Sequence, residues 1–266
     1  MPNSSHLPSG TIVITGARRG IGHGLLERFL CDDRQVIAVL RPGQSLSVSA
    51  NVSEVKTVFA DLSCVADLST AVEQIIGALG GHSIAALINA AGDTTPLQPV
   101  DTIKSEVFLD RFTLMALAPT VLTTGLAPHM ASGARVLNLS SRAAVETFPG
   151  FSAYCMSKHA LYSATRSLQL ELPDHIAVSY LLPGEVDTDM QKDLRESDPE
   201  IFPMVEFFIR NQINLIPVSI VVAFIYWVLT ATESSTFVRD EGWYIYDSSH
   251  HKQWLPAGTS FDYPEP

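Results

Sequence analysis

The run Thr11–Thr15 carries Ile12, Val13 and Ile14, breaks directly into Gly16-Ala17-Arg18-Arg19-Gly20-Ile21-Gly22, and is followed by Leu25, Leu26, Phe29 and Leu30 on one helical face. A buried strand that feeds a helix through glycines is the start of a crossover, and crossovers join parallel strands whose two faces are both covered. Glycines also let the backbone approach a ligand closely, and a helix amino terminus presents unpaired N–H groups to phosphate. Gly16, Arg18, Arg19, Gly20, Ile21 and Gly22 are therefore expected to seat the pyrophosphate of a dinucleotide. Spaced glycines alone only make turns; their place between strand and helix is what points to a ligand.

The same alternation continues along the chain. Val36–Leu40 and Val55–Ala60 read as the second and third strands. Ala85–Asn89, Val136–Leu139 and Val178–Leu182 read as the fourth to sixth, and Trp243–Tyr246 as a seventh. Within Ala66–Leu79, Leu68, Val72, Ile75, Ile76 and Leu79 fall at helical spacing, as do Leu161, Thr165, Leu168 and Leu172 further on. A long helical region is expected around Val107–Leu126. The pattern predicts an α/β fold, a single doubly wound parallel sheet of about seven strands with helices on both faces. One domain over residues 1–249 is expected, with a substrate lid at about 190–217. Residues 250–266 form an aperiodic tail that wraps over the domain or reaches a partner subunit.

Composition narrows the partners. A formal charge of −11 opposes general binding to nucleic acid or anionic lipid. The most apolar stretch, Leu215–Leu229, is shorter than the roughly 20 residues a membrane span needs and reads as a core helix. With Met1–Gly10 polar and lacking a basic start, a soluble cytoplasmic protein is expected, with no membrane partner. Cys31, Cys64 and Cys155 have no metal spacing and read as free thiols, so no metal site is expected.

The end of the second strand bears on the choice of dinucleotide. It reads Val39-Leu40-Arg41, with a guanidinium where an acid would hold a free ribose 2′-hydroxyl. Arg41 and Arg19 can bind a 2′-phosphate, or both can be solvated surface residues; NADP(H) is the expected cofactor. Asp61, with Leu62 beside it just past the third strand, is placed to accept from the adenine amino group or to cap the following helix. Tyr154 and Lys158 lie four residues apart and share a helical face, thirteen residues and more beyond Ser141. An ammonium near a phenol favours the phenolate, so Tyr154 is expected to have a lowered pKa and to act as a proton donor near neutral pH.

These motifs together resemble the short-chain dehydrogenase/reductase family over nearly the full length, with similarity to fungal ketoreductases of secondary metabolism. Thr15–Gly22 is similar to its cofactor turn, Asn89-Ala-Ala-Gly92 to its NNAG motif, and Ser141 with Tyr154-Cys-Met-Ser-Lys158 to its catalytic set. Pro183-Gly184-Glu-Val186-Asp-Thr188 is similar to the segment that closes over the nicotinamide. The resemblance implies a Rossmann-type fold with Tyr154 as acid or base, Lys158 on the nicotinamide ribose, and Ser141 on the substrate oxygen. It implies Asn89 and Gly92 beside the adenosine ribose, and Pro183, Gly184, Val186 and Thr188 around the carboxamide. It further implies a homodimer or homotetramer. Met115 stands where the family's asparagine anchors a water, and either another group serves or a different reaction is catalysed.

The stretch from Met190 to Pro217 turns from a charged run, Lys192 to Asp198, into one rich in aromatic residues. A lid with an aromatic inner face suits a bulky, apolar substrate, and Met190, Phe202 and Phe207 join Asp93 and Phe148 as candidate pocket residues. Phe202 and Phe207 can equally pack a helix on the core, and Asp93 can equally cap a turn. The sequence thus points to an NADPH-dependent reductase of a small-molecule carbonyl or imine substrate. The alternatives are a non-redox isomerase, epimerase, dehydratase or cyclase on the same scaffold, and, third, an NADP-sensing regulator.

Overall fold

The computed structural model describes residues 6–49 and 55–260. Seven parallel strands form one sheet in the order β3-β2-β1-β4-β5-β6-β7. They are β1 (Thr11–Thr15), β2 (Val36–Leu40), β3 (Val55–Phe59), β4 (Ile84–Asn89), β5 (Met130–Leu139), β6 (Ile176–Leu182) and β7 (Trp243–Tyr244). Register is tight at the centre, where Ile14 pairs with both Ala38 and Ile88. The strands match the expected sheet, with ends shifted by one or two residues in β3, β4 and β6 and larger differences in β5 and β7. β5 begins six residues before Val136, because its first residues (Ala131, Ser132, Gly133) are too small and polar to read as strand. β7 is reduced to the two residues that find partners in Leu181 and Leu182.

Alternate strand residues face opposite sides, and both sides are dry. Val13, Ile37, Val39 and Leu87 join Ile75 of α2 (Leu68–Leu79), Leu122 of α4 (Ala118–Leu126) and Leu168 of α5 (Ser152–Glu171). Ile12, Ile14, Val36 and Ala38 join Leu25 and Phe29 of α1 (Gly20–Leu30), with Phe224 and Ile225 of α8 (Val218–Ala231). The helix α8 is the buried core helix expected from its composition. Its carboxyl end is closed by Arg135, fully buried on β5, whose Nη1 donates to the carbonyls of Val228 at 3.0 Å and Leu229 at 3.1 Å and to Thr232 Oγ1 at 3.0 Å.

Between β4 and β5 the chain forms α3 (Ser105–Phe112), a π-helical turn at Thr113–Leu117, and α4. The run Ser105–His129 is long and apolar enough by composition to cross a bilayer, with mean hydropathy 1.2. Here it packs against α2 and α5, with Leu114, Met115, Leu122 and Leu126 in the core. After β6 come α6 (Asp189–Arg195) and α7 (Val205–Arg210), the segment expected as a lid. Between α8 and β7 lies the short α9 (Ser234–Phe237). The carboxyl end does not trail away: His250 is buried, and α10 (His251–Trp254) lies against α8. The last part of the expected tail, residues 261–266, lies outside the described residues.

Candidate active site

A cleft of about 360 Å³ opens at the carboxyl ends of the strands, beside the point where the strand order reverses between β1 and β4. Its floor is the glycine turn. Gly16 adopts φ +69°, and a Cβ there would lie 2.8 Å from Ala91 Cα; a Cβ on Gly22 would lie 2.4 Å from the Gly16 carbonyl oxygen. Only glycine permits this approach of two backbones, which leaves the amino end of α1 open to the cleft. Thr15 fixes the turn to the end of β4, its Oγ1 accepting from the backbone N–H groups of Ala90 and Ala91 at 3.1 Å each.

Arg18, Arg19, Ile21, Arg41, Asp61, Leu62 and Gly92 line the same half of the cleft as Gly16, Gly20 and Gly22. Arg19 reaches across to Asp189 of α6 at 2.8 Å, and Arg41 Nε lies 3.8 Å from Asp61 Oδ1. Asp61 closes a turn through Oδ1, which accepts from the Ser63 N–H at 3.0 Å and hydroxyl at 2.7 Å. Burial would raise its pKa, but the two Ser63 bonds, with Arg41 and Arg111, hold it below the usual range. Asn89 is different from the expectation. It is buried and absent from the cleft wall, with its Nδ2 donating to Asn138 Oδ1 at 2.8 Å; Asn138 in turn donates to Thr165 of α5 at 2.8 Å. The end of β4 already turns its Asn89 side chain under the sheet, so that residue locks β4, β5 and α5 together.

Ser141, Tyr154 and Lys158 converge where the cleft continues past the glycine turn. Ser141 caps a short turn, accepting from the Ala143 N–H at 3.2 Å, and hydrogen-bonds the Tyr154 phenol. Lys158, one turn further along α5, is buried; its Nζ donates to the Leu139 carbonyl at 2.8 Å and lies 5.5 Å from the Tyr154 ring centroid. The expected lowering of the Tyr154 pKa is not what this arrangement produces. Burial pushes the phenol up to about 12, against the Ser141 bond that favours ionisation, while burial alone brings Lys158 down to about 8. Desolvation penalises both charges, and at 5.5 Å from the ring, with its donor turned to Leu139, the ammonium does not reverse it. Met115 sits in the π-helical turn, buried, and the nearest atom to a Cβ on Gly92 would be its Sδ at 3.9 Å, so it fills apolar space under the cleft wall.

Beyond Tyr154 the cleft becomes aromatic. Phe151 stacks on Tyr154 with centroids 4.6 Å apart, Phe202 follows at 5.3 Å from Phe151, and Phe208 at 5.6 Å from Phe202. Phe148, Met190, Phe202 and Phe207 all line it, as do Pro183, Gly184, Val186 and Thr188 on the closing segment. Phe202 is also almost wholly buried, so packing and lining are one role here. Asp93 lies on the wall but is spent on its turn: Oδ1 accepts from Thr95 N and Oγ1 at 3.0 and 2.9 Å, and Oδ2 pairs with Arg111 at 2.8 Å. The sequence reading placed Phe208 in the aromatic part of the lid but missed Phe151, Arg142, Glu185, Tyr244 and Tyr246 as residues lining the cleft. Only Glu185 carried a local signal, an acid inside the closing segment. Among the described residues no cluster of His, Cys, Asp and Glu could hold a metal ion, and Cys31, Cys64 and Cys155 are free.

Comparison with known proteins places this geometry. A family model described as short chain dehydrogenase matches residues 10–199. Benzil reductase ((S)-benzoin forming) of Bacillus cereus is 30% identical over 211 residues, which cover 74% of this chain and 84% of that protein. The 1-deoxy-11-beta-hydroxypentalenate dehydrogenase of Streptomyces avermitilis is 30% identical over 199 residues, 71% of this chain and 73% of its own. Among solved structures, the KRED1-Pglu enzyme superposes with a TM-score of 0.74 at 25% identity, over 89% of this chain and 100% of that one.

Proposed function

The chain belongs to the short chain dehydrogenase family of oxidoreductases, which use NAD(P)(H), and from that premise we propose that it is an NADPH-dependent reductase of bulky carbonyl compounds with Tyr154 as proton donor. One observation carries the reading: the Tyr154 phenol, bonded to Ser141, stands where the glycine-floored half of the cleft meets the aromatic half. The first half fits a dinucleotide: Gly16 and Gly22, where a Cβ would strike the backbone of Ala91 and of Gly16, let the turn fold tightly and leave the amino end of α1 open to the cleft. The second half fits a bulky apolar partner, and the benzil reductase relative is named for a bulky diketone. Reduction of an imine by the same groups needs no change in this arrangement.

The bound nicotinamide supplies hydride, and the protein supplies orientation and the proton. The N–H groups at the start of α1 would hold a pyrophosphate, and Arg19 and Arg41, now paired with Asp189 and Asp61, would hold a 2′-phosphate. Leu62 and Gly92 would flank the adenosine, with Asp61 available to the adenine amino group. The segment Pro183–Thr188, held by mutual bonds between Ile216 and the backbone of Glu185 and Asp187 at 2.8 and 2.9 Å, would cover the nicotinamide. Ser141 and Tyr154 both donate to the carbonyl oxygen, which fixes its position and stabilises charge as it grows there. A phenol with a pKa near 12 is fully protonated at neutral pH, as a donor must be. Once the proton moves to substrate, the Lys158 ammonium behind Tyr154 stabilises the phenolate that remains.

The test is Tyr154→Phe. Turnover of a bulky ketone should fall by about 10²- to 10⁴-fold while NADPH still quenches tryptophan fluorescence with the wild-type affinity. Wild-type turnover in that variant would rule out the assigned donor.

A further inference from the structure

Glu185 is a carboxylate in the cleft that the reaction above does not use. Its place is fixed by the backbone. Gly184 adopts φ +74°, and a Cβ there would meet Ile245 and Tyr246 side-chain atoms at 2.8 Å, so the segment lies flat against the chain leaving β7. The Glu185 carbonyl accepts from Ile216 N at 2.8 Å, and Oε2 accepts from Asn211 Nδ2, in the turn that follows α7. Arg142 from the β5–α5 connection and Tyr244 and Tyr246 from β7 and its exit stand around it on the cleft wall. The Arg142 Nε donates to Glu146 Oε1 at 2.6 Å, and among the described residues no ion pair within 4.0 Å is formed by Glu185.

A carboxylate offers about four acceptor sites, and a half-buried one is costly unless they are used. Among the described residues, the one donor to the Glu185 carboxylate is Asn211 Nδ2, on Oε2. Burial pushes the acid up to about 7, against the Asn211 bond and Arg142, which favour ionisation. Burial also raises the pKa of the Tyr244 and Tyr246 phenols, so neither contributes charge near neutral pH. The same cleft offers the ring run Phe151–Phe202–Phe208 starting at Tyr154. One bound molecule can therefore meet an aromatic face, a proton donor and an acidic acceptor at once. Building on the reductase reading, we propose that Glu185 selects the substrate: an aryl ketone whose ring lies on the phenylalanine run and whose other end presents a hydroxyl or ammonium donor to the Glu185 carboxylate.

Three phenyl ketones of one chain length, ending in ammonium, hydroxyl or methyl, test this in wild type, Glu185→Gln and Glu185→Leu. At pH 8 wild-type kcat/KM should favour both donor-bearing ketones over the methyl ketone by about tenfold or more. Glu185→Gln should keep the hydroxyl preference and lose the ammonium preference, and Glu185→Leu should lose both. Dissociation constants measured by calorimetry on enzyme saturated with oxidised cofactor should rank the same way without turnover. Lowering the pH through about 7 should erode the ammonium preference in wild type and leave Glu185→Gln flat. If Glu185→Leu does not fold, the ammonium-to-hydroxyl ratio in Glu185→Gln decides alone. Ketone reduction with an unchanged ranking in the variants overturns the role of Glu185 and leaves the reductase reading intact. No cofactor oxidation by wild type with any of the three ketones, or with benzil, overturns both.

Discussion

Tyr154 and Lys158 share one buried pocket, and burial works against the charged form of each. The proton stays on the phenol up to about pH 12 and leaves the ammonium near pH 8. The ammonium is thus present below pH 8 and lost above it, so kcat/KM for ketone reduction should be level from pH 6 to about 7.5 and fall above 8. A profile flat to pH 10 would mean that Lys158 does not support the proton transfer. Arg41 makes a separate prediction: Arg41→Ala should weaken NADPH binding by about tenfold or more and NADH binding by less than about twofold, measured by calorimetry. Equal loss for both cofactors would assign Arg41 to the surface. Tyr154, Lys158 and the turn glycines were legible because each depends on spacing within one element. The role of Glu185 was not, since its place in the closing segment says nothing of what it faces, which comes from Asn211, Arg142 and Tyr246, more than 25 residues away.

At the level of elements, the surprise is the carboxyl end. His250 lies among Phe224, Trp227, Trp243 and Trp254, stacked on Phe224 at 5.1 Å. Trp254 Nε1 donates to His250 Nδ1 at 2.8 Å, so Nε2 carries the proton and donates to the Tyr244 carbonyl at 3.1 Å. Burial lowers the His250 pKa against Asp247, which raises it; His251 and Arg239 add to the lowering. The neutral ring is the native one, so its contribution is intact above the unfolded value of about 6.5 and is lost as pH falls below it. Denaturant midpoints measured from pH 7.5 to 5 should decline more steeply for wild type than for His250→Gln. Equal slopes would show that the box tolerates the charge. A boundary at residue 250 follows from periodicity, and this cluster has none: its rings meet across α8, β7 and α10 rather than along one element. The π-helical turn at Thr113–Leu117 escaped for a related reason, since its sequence differs little from ordinary helix.

For the whole molecule, the alternation of short apolar runs and helical stretches was enough to give the class of fold, because a parallel sheet buried on both faces leaves that mark on every strand. It gave the strands but not all their lengths: Gly133 and Arg135 lie inside β5, and Arg135 is read as strand only once α8 is seen to need its guanidinium. The sheet order also bears on how the chain comes off the ribosome. β1, made before the other six strands of this sheet, is flanked by β2 and β4 and ends up inside it. One edge of Thr11–Thr15 can pair as soon as residues 36–40 emerge, but the other must wait for residues 84–89. Until then the nascent chain displays an unsatisfied row of backbone groups flanked by isoleucine and valine, the kind of edge that recruits foreign strands. A strand that lies inside the finished sheet is therefore open on one edge while the chain is being made.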